Sequence, residues 1–149
     1  MQTQLTTLNN GLRIVTCSRP NTETVSLGIW IKTGSAYEDE KINGISHFLE
    51  HMVFKGTKNR TSLQISEEIE NVGGQNNAYT SREFTAFYAK MLKDDTELAL
   101  DVISDLILNP TFPEEELVKE REVVVQEIKQ TIDSPDDIIF DYFQGKAFP

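Results

Sequence analysis

Histidine, glutamate and histidine occupy positions 47, 50 and 51, in the run His47-Phe48-Leu49-Glu50-His51. On a helix that advances about 100° per residue, these three polar side chains fall within an arc of roughly 100° and share one face. Two imidazoles at i and i+4 can both reach one ion at about 2.0–2.1 Å from each nitrogen, the bond length of a zinc site. Glu50 stands beside them without having to bind. It is placed to take the proton of a water that zinc acidifies to a pKa of about 7 and to hand it to a leaving amine. The chemistry within reach of this H-x-x-E-H pattern is therefore metal-assisted hydrolysis of an amide bond. The ordinary alternative is three polar residues on a solvated helix face. Against it, the chain has only two histidines, and two random positions fall four apart roughly once in a hundred draws.

The elements that must hold these residues follow from the local pattern. Asn43 can cap a helix running to about Phe54, with Gly56 placed to stop it, and Ile45, Phe48, Leu49 and Met52 form the apolar stripe opposite the polar trio. An ion needs a third protein donor. A second helix, from Glu114 to about Ile132, carries Glu120 and Glu127 two turns apart beside the apolar row Leu117, Val124, Ile128. Spacing does not choose between them, since Glu114, Glu115, Glu116 and Glu122 lie on the same helix, and solvated acids on a helix face are common.

Around these two helices the sequence predicts an α+β layer structure, with a mixed or antiparallel sheet packed against helices. Gln4 to Leu8 and Leu12 to Ser18 flank Asn9-Asn10-Gly11, the signature of a hairpin. Val25, Leu27, Ile29 and Ile31 alternate with smaller or polar residues, as in a strand with one well-buried face. Thr61 and Gln64 have capping-box spacing at the head of a helix to about Val72, ended by Gly73-Gly74. Gln75 to Thr80 and Phe84 to Leu92 read as a second hairpin, Asp94 to Leu108 as a helix, and Ser134-Pro135 as the start of a last one. Cys17 reads as a buried strand residue without chemistry, and Trp30 as core or domain packing.

Composition narrows the partners. At 149 residues the chain has the length of one domain, and its 38% hydrophobic and 26% charged residues fit a globular protein rather than a disordered or collagenous one. A single cysteine provides neither an internal disulfide nor a cysteine-based zinc site, so any metal must use histidine and carboxylate ligands. The net charge of −10 disfavours nucleic acid and anionic membrane and would attract basic peptides. The first residues lack both a secretory signal and an arginine-rich presequence. The expected location is therefore the bacterial cytoplasm, or the mitochondrial matrix for a processed eukaryotic chain.

The H-x-x-E-H trio, the flanking Gly44 and Phe54-Lys55-Gly56-Thr57, the run Asn77-Ala78-Tyr79-Thr80 and the segment Glu120 to Ile128 together resemble the pitrilysin and mitochondrial-processing-peptidase family of zinc metallopeptidases. The look is closest to the processing-peptidase β-subunit and its bacterial single-chain relatives. The resemblance implies His47, His51 and Glu127 as zinc ligands, Glu50 as the catalytic base, and Glu120 as a supporting acid that holds the active-site geometry. It also implies that Gln75 to Thr80 is an exposed edge strand on which an extended peptide lies as an added strand, with Asn77, Ala78 and Tyr79 along that track. Members of the family resemble a tandem of two related domains closing as a clamshell. Residues 1–149 would be most of the first, catalytic one, leaving a C-terminal domain or partner subunit to complete the substrate site.

The expected function is thus zinc-dependent endopeptidase action on extended peptides, unfolded protein or presequence-like segments. Two rivals stand beside it: a partner subunit or fragment that binds peptides without cutting, and a metal-binding protein in which Glu50 would have no role. Exposed strand edges also make a homo-oligomer through strand pairing an expected form.

Overall fold

The computed structural model describes residues 2–147, and within them the chain is α+β, as its pattern predicts. It opens with β1 (Gln2–Thr7) and β2 (Arg13–Ser18), paired antiparallel as a two-stranded sheet with Leu5 opposite Val15. The second sheet has three antiparallel strands in the order β3 (Thr24–Ile31), β5 (Thr85–Leu92), β4 (Gln75–Thr80), so β4 is an edge strand. Among the described residues there are five α-helices: α1 (Ile45–Val53), α2 (Ser62–Glu70), α3 (Thr96–Leu108), α4 (Glu114–Asp133) and α5 (Pro135–Ala147).

Alternation along the central sheet sorts its two faces. Val25, Leu27, Ile29 and Ile31 of β3, Phe87, Ala89 and Met91 of β5 and Ala78 of β4 point to the helices, where they meet Ile65 and Ile69 of α2 and Ala99, Val102, Ile103 and Leu106 of α3. Burying side chains of this size stabilises by about 1.5–3 kcal/mol each, so this layer is the fold's main support. The β3 face is less covered than its alternation predicts: its four aliphatic residues are only partly buried. The other face of the sheet is open. Trp30 lies there 61% exposed, with its ring against Gly28, where an added Cβ would come within 2.7 Å of the indole. Of the two expectations for Trp30, core packing is therefore corrected while domain packing is left standing, and burial of Cys17 is corrected too, since it is exposed on the hairpin. Alternation marks two faces of a strand but not which of them a neighbour covers.

Local chemistry sets the ends of the ligand-bearing helix. Its N-cap is Gly44, not Asn43, with φ +88°, a left-handed conformation that glycine adopts without a Cβ penalty. Capping comes from a distance. One oxygen of Glu38 accepts from Gly44 N–H at 2.6 Å and the other from Ser46 N–H at 2.8 Å, which satisfies orphan donors of the first turn and places a negative charge at the helix N-terminus. Burial pushes the Glu38 carboxyl up, but the hydrogen bonds from Ser46 and Gly44 outweigh it and hold the group below its ordinary value. The α2 helix has the capping box that Thr61 and Gln64 predict.

The segment between α1 and α2 is fastened to the end of α3 and to the approach to α4. Asp105, 4% exposed, accepts from Thr57 Oγ1 at 2.6 Å, Asn59 Nδ2 at 2.6 Å, Asn109 Nδ2 at 2.9 Å and Arg60 Nη1 at 3.1 Å. Backbone bridges Gly56–Thr61 and Thr57–Pro110 close the same tie. Burial alone would raise the Asp105 carboxyl, yet these donors pull it down to about 2.

Candidate metal centre

Helix α1 presents His47, Glu50 and His51, and α4 packs across it. Of the apolar stripe of α1, Met52 is buried at 1% as the sequence predicts, but other stripe residues of both helices lie shallower. Ile45 and Leu49 are 42% and 41% exposed, Ile128 is 52% exposed, and the one fully buried residue of α4 is a carboxylate, Glu120, at 6%. A buried acid costs several kcal/mol unless it is paired and hydrogen-bonded. Glu120 is both. Its Oε2 lies 3.1 Å from Nδ1 of His51, and its Oε1 lies 2.6 Å from Nζ of Lys55. Desolvation pushes this carboxyl up, but the Lys55 and His51 hydrogen bonds outweigh it and leave the group below the usual carboxylate range.

An ionised Glu120 fixes the tautomer of His51. The carboxylate accepts from Nδ1–H, which leaves the Nε2 lone pair free. That Nε2 stands 3.3 Å from Nε2 of His47, with the two rings edge-on at 89°. Glu127 closes the group: its Oε2 is 3.5 Å from Nε2 of His47 and 3.4 Å from Nε2 of His51. The three donors thus form a nearly equilateral triangle. Ligand atoms about 2.0–2.1 Å from a tetrahedral zinc stand about 3.3–3.4 Å apart, so the triangle has the size and the N,N,O chemistry of a three-ligand zinc site. The side chains of His47 and Glu127 are 41% and 45% exposed, which leaves one side of the triangle open to solvent. Zinc sites that do chemistry keep such an open position.

Glu50 shares the helix with the two histidines and is half-buried, with no ion pair or side-chain hydrogen bond among the described residues. A cleft of about 270 Å³ opens beside His47, lined among others by Glu38, Asn43, Thr80 and Arg82. The edge strand β4 reaches it through Thr80, whose hydroxyl donates to Ser46 O at 3.4 Å. Its other candidate residues are placed differently. Ala78 is 7% exposed and belongs to the core, Asn77 Oδ1 accepts from Ala78 N–H at 2.8 Å, and Tyr79 packs edge-on against Phe84 and Tyr88, at 5.8 and 6.1 Å between ring centroids. The structure therefore gathers His47, His51, Glu120 and Glu127 but does not bring the side chains of Asn77, Ala78 or Tyr79 to them. Among the described residues, β4 offers main-chain groups along its free edge instead.

Sequence reasoning missed Lys55 and Glu38 as supports of this site. Lys55 follows His51 by four residues in the turn just past the end of α1, and this nearness to a ligand-type histidine is the only signal the sequence holds for it.

A family profile for the insulinase family, peptidase family M16, matches residues 13–149. The chain belongs to this family. It is 50% identical over 142 residues to an uncharacterized zinc protease of Bacillus subtilis, YmxG, covering 95% of this chain and 35% of that protein. To the mitochondrial-processing peptidase subunit beta of Rattus norvegicus it is 44% identical over 147 residues, covering 99% and 30%. Among solved structures, the crystal structure of a protease from Helicobacter pylori superposes with a TM-score of 0.87 at 30% identity, over 93% of this chain and 34% of that one. The chain spans about a third of the length of these relatives. The family and the α+β fold read from the sequence both stand, and relatives named as zinc proteases agree with the donor triangle.

Proposed function

We propose that this chain carries the metal-binding and proton-transferring part of a zinc-dependent endopeptidase acting on peptides in extended form, with His47, His51 and Glu127 as ligands and Glu50 as general base. The observation that carries this reading is the triangle of 3.3, 3.4 and 3.5 Å among two imidazole nitrogens and one carboxylate oxygen. A zinc ion bound there would supply Lewis acidity at the scissile amide. Glu50 would accept a proton from the attacking water as its oxygen bonds to the amide carbon. The same proton would pass to the nitrogen as the C–N bond breaks, giving a carboxylic acid and an amine. Glu120 would keep His51 oriented throughout. The free edge of β4 would hold the substrate main chain as an added strand, with Ala78 serving that edge through its backbone, since the register turns the main-chain groups of Tyr79 toward β5. The relatives are about three times as long as this chain, and further chain of that length would supply surface to hold a peptide in attacking position.

The test compares zinc content and peptide cleavage. Glu50→Gln should keep stoichiometric zinc and lose hydrolysis, because an amide cannot accept the water's proton. His51→Ala should lose the metal. Full cleavage by Glu50→Gln would remove Glu50 as the base, and full zinc retention by His51→Ala would remove the ligand set.

A further inference from the structure

Lys55 takes no part in the reaction just described, yet it holds the one carboxylate buried in α4. We propose that Lys55 is a positioning residue of the metal centre: its ammonium group grips one oxygen of Glu120, so that the other stays fixed at Nδ1 of His51. This rests on reading the donor triangle as a metal site.

A carboxylate anchored only at His51 could pivot about that single bond. Here both oxygens have partners, Oε1 at 2.6 Å from Lys55 Nζ and Oε2 at 3.1 Å from His51 Nδ1, in a residue only 6% exposed. At that depth each contact is shielded from competing water and directional. The lysine is itself located by the backbone. Lys55 N–H donates to Met52 O at 3.1 Å, and the carbonyl of the next residue, Gly56, accepts from both the N–H and the hydroxyl of Thr111 at 3.1 Å. Thr111 lies just before α4, so the root of the lysine is tied to the approach to the helix that carries Glu120. Thr57, Asn59 and Arg60 bind Asp105 and hold the same segment from its other end. A lysine suits this place because one oxygen needs one donor, and its stem has the reach for it.

A lysine that merely neutralises a buried acid would affect folding stability. A lysine that positions His51 affects metal affinity, and only through Glu120. Zinc dissociation constants, measured by competition with a chromophoric chelator, separate the two for the wild-type chain, Lys55→Met, Lys55→Arg, Glu120→Gln and the double variant Lys55→Met/Glu120→Gln. Lys55→Met should bind zinc about 10-fold more weakly, the lower end of the range for groups that orient a ligand. Lys55→Arg should recover to within about 3-fold, and Lys55→Met should add less than about 2-fold in the Glu120→Gln background, as residues acting through one another are not additive. If Lys55→Met does not fold, Lys55→Gln replaces it with the same expectations. Unchanged affinity in Lys55→Met, or an equal loss in both backgrounds, overturns the positioning role alone. A wild-type chain that takes up no zinc overturns the metal centre and this role with it.

Discussion

Two regions of this chain invert the usual relation between polarity and depth. The β1–β2 hairpin carries Leu5, Leu12, Ile14 and Val15, yet both of its strands are exposed throughout, with Leu5 at 63% and Val15 at 67%. The tie at Asp105 is built from one carboxylate, two amides, a hydroxyl and a guanidinium, yet Asp105 is 4% exposed. Backbone pairing is enough to form a hairpin. Depth depends on what packs against the side chains, and a polar group goes deep where every lone pair finds a donor. The metal donors sit with the second region, since the segment fastened by Asp105 starts at the end of α1 and Lys55 leads into it.

The largest effect should come from breaking the buried tie. Asp105→Ala takes the shared acceptor from the Thr57 hydroxyl, Asn59, Asn109 and Arg60, while Arg60 keeps Glu68 and Asp101, and should cost about 2–3 kcal/mol, read from urea unfolding. A loss below about 1 kcal/mol would show that the polar tie is no deeper in energy than the hairpin. Next in size is the acid limb. Asp105 is held at about 2 against an ordinary 3.8, and Glu120 also lies below its ordinary 4.5. Groups lowered in the folded state contribute stability above their unfolded pKa values and lose it as pH falls through the folded ones. Stability should therefore stay level above a pH of about 4.5 and drop between there and about 2, followed by urea midpoints at stepped pH. A flat profile across that window would contradict both assignments. Smallest of all, Leu5→Thr with Val15→Thr should change stability by no more than about 0.5 kcal/mol, since both side chains already face water in the folded chain. A loss of about 2 kcal/mol would mean that the hairpin belongs to the core.

What could be read from the sequence follows the range of the interactions. The faces of α1, the capping box at Thr61 and Gln64 and both hairpins depend on residues a few positions apart, and periodicity and turn chemistry reveal them. The third donor depends on how two helices cross. Spacing left several glutamates open, and it took the family resemblance to single out Glu127, which the structure brings to the two histidines. Glu38 caps α1 from six and eight residues away, beyond the reach of any local cap rule, and so Asn43 looked like the cap. His51 and Glu120 are 69 positions apart, and Lys55 acquires its role only when α4 arrives. Exposure of Cys17 and Trp30 was equally invisible, because it depends on what lies across from a strand and not on the strand's own pattern.

The lone tryptophan gives the open sheet face an optical signal. Its indole rests on Gly28 and is 61% exposed, on the side of β3 turned away from α2 and α3. An indole in contact with water emits at long wavelength and is quenched by dissolved iodide or acrylamide. Any surface that settles on this face, from a longer form of the chain or from another molecule, would shift that emission to the blue and shield it from quencher, with no label added.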